Sequence, residues 1–76
     1  MKEFIKKVKD EKLDNFEISY EAFIRYQRLN DYKKMLKAAL NITESKRQNI
    51  ELTAKCALKN NDLDFAWNAA LFVNMI

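Results

Sequence analysis

The 76 residues contain no glycine and no proline. The tight turns of β-sheet folds draw on both, glycine for positive φ and proline for a preset φ. A chain without either is confined to helices joined by short turns, in which Asn or Asp carries the unusual backbone. The expectation is an all-α fold.

A second feature divides those helices. Asn30-Asp31-Tyr32 followed by Ala38-Ala39-Leu40-Asn41-Ile42 aligns without a gap on Asn61-Asp62-Leu63 followed by Ala69-Ala70-Leu71-Phe72-Val73, an offset of 31 residues. A helix-like segment precedes each copy. The chain therefore reads as one domain over residues 1–76, a small bundle of about five short helices. Two similar helix–turn–helix hairpins follow an N-terminal helix carrying Met1, Phe4, Ile5 and Val8. Turns are expected at about residues 13–16, 29–31, 41–45 and 59–62. Asp31 and Asp62 are strong N-cap types. Asn30, and Asn60 with Asn61, are the residues best suited after glycine to a left-handed helix end. Asp14-x-x-Glu17 and Ser45-x-x-Gln48 resemble capping boxes, with Thr43 competing for the latter helix.

Apolar spacing then selects faces. Helix two offers Phe16, Tyr20, Phe23, Ile24 and Tyr26; helix three offers Tyr32, Met35, Leu36, Ala39 and Leu40. Helix four offers Ile50, Thr53, Ala54, Ala57 and Leu58, with Leu52 and Cys56 at its edge. The last helix is apolar nearly all round, the mark of burial on more than one side. Trp67 and Ala70 are expected inward with Phe23 and Leu36, where the hairpins meet. That leaves Phe65, Phe72 and Ile76 on the far side as a partner or dimer surface, unless Phe4, Ile5 and Val8 of the first helix cover them.

A core of this size supplies only about 3–5 kcal/mol of net stability. One Cys and no His leave neither an internal disulfide nor a zinc set, so association with a partner protein or a second copy becomes the expected support. The same inventory lacks a nucleophile–base pair, motif-placed paired carboxylates and a glycine loop for phosphates. The reading is therefore non-enzymatic, with no catalytic residue, cofactor or metal. Cys56, without a neighbouring base, reads as a packed thiol. No membrane-spanning run or signal peptide is apparent, so a cytoplasmic protein is expected. Abundant Lys, Asn and Ile fit an AT-rich bacterial or phage genome. Asn41-Ile42-Thr43 matches a glycosylation sequon by chance.

Arg25, Arg28, Lys33, Lys34 and Lys37 flank the first hairpin turn and could contact phosphates in nucleic acid. A net charge of +3 does not demand such a partner, and a solvated helix face is the simpler reading.

The hairpin pattern resembles the tetratricopeptide (TPR) repeat over about residues 16–76, with Asn61-Asp62-Leu63-Asp64-Phe65-Ala66 as the best match. Met35 stands where the repeat has its alanine in the first copy. The period is 31 against about 34, and the usual Trp-Leu-Gly start and closing Pro are missing. The resemblance implies stacked helical hairpins that bind protein. Asp31-Tyr32, Ala38-Ala39 and Cys56 are in turn similar in order to the small AraC-negative-regulator proteins of bacteria, though the spacing differs and a Trp is lacking after Tyr32. The leading functional reading is a small regulator or inhibitor that binds a partner protein. A nucleic-acid-binding transcription regulator using residues 25–37 is second.

Overall fold

A computed structural model describes residues 2–76. Among them lie five helices and no strand: α1 (Lys2–Asp10), α2 (Tyr20–Arg28), α3 (Tyr32–Asn41), α4 (Lys46–Lys59) and α5 (Leu63–Val73). Met1, placed on the first apolar stripe, lies outside the described residues.

The two Asn-Asp turns fold alike. Asn30 and Asn61 adopt φ of 61° and 60°. At each helix end the left-handed residue and its successor donate back to the final turn. Asn30 N–H reaches Gln27 O at 3.1 Å and Asp31 N–H reaches Tyr26 O at 2.9 Å; Asn61 N–H reaches Leu58 O and Asp62 N–H reaches Ala57 O, both at 3.0 Å. This is the Schellman arrangement, which satisfies the carbonyls a helix end leaves open. The next residue starts the next helix. Asp31 Oδ1 accepts from Lys34 N–H and Asp62 Oδ1 from Phe65 N–H, each at 3.2 Å.

Two expected caps are corrected. α2 begins at Tyr20, not beside Asp14, and Ser19 caps it, its Oγ accepting from Ala22 N–H at 3.0 Å. The preceding segment is drawn out of helix by a long-range contact. Asn15 is left-handed at φ 55°, Phe16 stacks on Tyr26 with ring centroids 5.8 Å apart, and Tyr26 Oη accepts from Glu17 N–H at 2.7 Å. At α4, Ser45 is left-handed (φ 50°) and makes no side-chain cap, because capping needs an extended backbone to aim the hydroxyl at the first turn. The buried Asn49 ties that end instead, its Nδ2 donating to Glu44 O at 2.9 Å.

The helices pack in chain order: α2 on α3, α3 on α4, α4 on α5, with α1 laid against α3. Phe23, Met35, Leu36 and Ile50 fill the centre. Trp67 and Ala70 do not join them; both are exposed, and α5 turns Phe65, Ala66, Ala69 and Val73 inward instead. Trp67 and Phe65 are two residues apart in α5, so at about 100° per residue they face nearly opposite ways. What selects the orientation is tertiary. Phe65 sits edge-on to both Phe4 and Tyr32, at centroid separations of 5.2 and 5.0 Å. α4 keeps Ile50, Thr53 and Ala57 of the expected stripe buried, adds Asn49 and Cys56 to them, and leaves Leu58 exposed.

Candidate interaction surface

Because α5 turns Phe65 inward, its opposite side is uncovered. Leu63, Trp67 and Ala70, at i, i+4 and i+7, line one wall of a groove whose other wall is Ala54, Lys55 and Leu58 of α4, with Ala66 at its base. The groove encloses about 350 Å³, and its alanines bring the helix backbones close to the surface. Leu58, Leu63 and Trp67 are 56, 63 and 66% exposed. It continues past Ala70 to Glu51, Val73 and Asn74. Lys55 stands on the rim, and Glu51 at the far end pairs with Arg47 at 3.7 Å. Contiguous apolar surface with a polar rim is the usual form of a protein-binding patch.

The three residues expected to form that patch are not brought together. Phe65 is buried beneath α1, the cover that Phe4, Ile5 and Val8 were expected to offer. Phe72 is half-buried in a separate depression with Ile5, Lys6 and Met75, and Ile76 is exposed past the end of α5. Sequence periodicity missed the actual groove because Leu58, Leu63 and Trp67 are ordinary core types. The signal that bears on it is the offset of 31, which sets Trp67 and Ala70 in the places of Leu36 and Ala39.

The basic group is spread over several local contacts. Arg25 pairs with Glu17 at 3.1 Å, and that hydrogen bond and charge hold its guanidinium above the usual arginine range. Lys34 lies 3.9 Å from Asp31 and 5.6 Å from the Tyr26 ring centroid. Lys37 donates to the Lys9 carbonyl and lies 5.4 Å over Phe16. Arg28 and Lys33 are exposed, Lys33 beside a depression that also holds Asp62 and Asp64.

Cys56 is buried, with Sγ 3.0 Å from Asn30 Oδ1. Burial pushes the thiol up, with Lys59 acting in the opposite direction; a raised pKa suppresses the reactive thiolate. Among the described residues no group of three or more His, Cys, Asp or Glu side chains is placed to hold a metal. Among the same described residues no helix is long and apolar enough to cross a membrane.

Comparison with family models, with curated proteins and with solved structures gives no match.

Proposed function

We propose that this protein is a non-enzymatic protein-interaction module, a small regulator or inhibitor that acts by binding a partner protein through the α4–α5 face. One observation carries the reading: Trp67 stands in solvent between Leu63 and an alanine-floored groove. Trp is the side chain most enriched at the energetic centres of protein interfaces, and leaving it in water forgoes about 1.5–3 kcal/mol of burial. The resemblance to TPR hairpins is consistent with this use.

Affinity capture from the host lysate, with and without nuclease, tests it. The full chain should retain a partner after nuclease treatment, and Trp67→Glu should lose it while remaining folded. A catch that vanishes with nuclease and survives Trp67→Glu would instead select the basic side around Arg28 and Lys33, and with it the nucleic-acid reading.

A further inference from the structure

Moving 31 residues along the chain maps the α2–α3 hairpin onto the α4–α5 hairpin, and most positions behave alike. Ala22 and Thr53, Tyr26 and Ala57, and Ala38 and Ala69 are buried pairs; these lie inside each hairpin. The equivalence fails on two faces, the first of them on α3 and α5. Leu36 and Ala39 are fully buried, whereas their counterparts Trp67 and Ala70 are exposed. The difference has a visible cause. α4 lies against α3 of the first hairpin, and no described element takes the corresponding place on the second.

The side of α4 that meets the first hairpin is identified by the same offset. Asn49 and Cys56 are buried, while their counterparts Ile18 and Arg25 are exposed. Cys56 Sγ and Asn60 Nδ2 both reach Asn30 Oδ1, each at 3.0 Å. The docking face of α4 is thus marked by Asn49 and Cys56, compact side chains at i and i+7, and ends in hydrogen bonds to the left-handed Asn30.

We infer that the α4–α5 groove takes a single helix of a partner protein, seated on the second hairpin as α4 is seated on the first. The inference rests on the proposed interaction reading and specifies its ligand. The partner helix presents small residues at i and i+7, because Trp67 is bulkier than Leu36 and the space over it is correspondingly shallower. It carries an acidic residue beside that stripe to meet Lys55, which replaces the apolar Ile24 on the groove rim. A donor at its end reaches Asn61, as Cys56 and Asn60 reach Asn30.

Trp67 is the chain's one tryptophan, so its fluorescence reports on the groove directly. The probe is a synthetic peptide spanning Lys46–Lys59 with Cys56→Ser, added to the full chain. Its own Glu51 supplies the acidic flank. The expected result is a saturable shift of Trp67 emission to shorter wavelength with one-to-one stoichiometry. Ala70→Glu should weaken it by about tenfold or more, and Ile18→Glu, at an exposed position that does not line the groove, should leave it unchanged. No shift up to millimolar peptide, an equal shift with a scrambled peptide, or indifference to Ala70→Glu would each overturn the assignment. So would a blue shift that grows with protein concentration alone, which would make a second copy the occupant. If the peptide fails while partner capture still depends on Trp67, the helix assignment falls and the interaction module stands.

Discussion

Asn30 and Asn60 exchange side-chain amides. Nδ2 of Asn30 donates to Oδ1 of Asn60 at 2.9 Å, and Nδ2 of Asn60 returns the bond at 3.0 Å. Asn30 is left-handed and ends α2; Asn60 caps the end of α4. The pair therefore fastens one hairpin turn to the other, and Asn30 serves two purposes where Asn61 serves one.

Replacing each by Ala separates those purposes. Asn61→Ala should cost roughly 1 kcal/mol, because Asn tolerates the left-handed backbone through local side-chain hydrogen bonding and Ala does not. Asn30→Ala adds the loss of side-chain bonds to Asn60 and Cys56, for roughly 2 kcal/mol in all. Asn30→Gly should recover only the backbone share. Urea denaturation midpoints give the comparison; equal losses at the two positions would show that the amide exchange contributes nothing.

The orientation of α5 predicts opposite outcomes for its two large aromatics. Phe65→Ala removes a buried ring and should cost about 3–5 kcal/mol, enough to unfold a domain this small. Trp67→Ala alters an exposed side chain and should change stability by about 0.5 kcal/mol or less. Thermal melts of the two variants decide it, and a Trp67→Ala protein that unfolds would place the indole in the core.

What was legible in the chain was the chemistry that acts locally. As turn and cap residues Asn30, Asn61, Asp31 and Asp62 act within a few residues of themselves, so turns, caps and the hairpin repeat are read directly, whereas the bonds from Asn30 to Asn60 and from Tyr32 to Asp62 are not. Ser19 is hidden as a cap, because what displaces Asp14 and Glu17 from helix is the contact of Phe16 and Glu17 with Tyr26, nine or ten positions on. The rotation of α5 was hidden for a different reason. A helix apolar on nearly every side offers several inward solutions, and the choice belongs to Phe4 and Tyr32, which grip Phe65. The groove is hidden with it, since Leu63 and Trp67 are residue types that normally mark a core.

Tyr32 links the hairpins through titratable groups, its phenol donating to Asp62 Oδ2 at 2.8 Å. That bond, and secondarily burial, raises the phenol above its ordinary range. A raised folded pKa favours the protonated form, so the stabilisation is complete below the unfolded value near pH 10 and is lost as pH rises through the folded one. Tyr32→Phe should cost about 1 kcal/mol at neutral pH and then decline less steeply above about pH 10. The buried Cys56 thiol, also raised, contributes an alkaline loss of the same sign to both proteins, so their difference isolates Tyr32. Denaturation midpoints from pH 8 to 11 provide the test, and parallel curves would remove the hydrogen bond from the account.

α1 is the element whose removal asks most of the rest. Its nine residues are too few to hold a helix alone, so it persists by docking. Ile5 and Val8 are buried, Phe4 sits on Phe65, and the Lys9 carbonyl accepts from Lys37. Val8→Asp places a carboxylate in that apolar contact, a cost of several kcal/mol unless the helix leaves. The four remaining helices pack on one another without it, so undocking of α1 is the expected response. Hydrogen exchange should show α1 amides losing protection while those of α3 and α4 keep theirs. Phe65 and Phe72 would then share an uncovered face, and sedimentation should show a monomer becoming a dimer. Global unfolding of Val8→Asp would make α1 part of the indivisible core, and a folded variant that stays monomeric would show that this stripe does not drive association when bare.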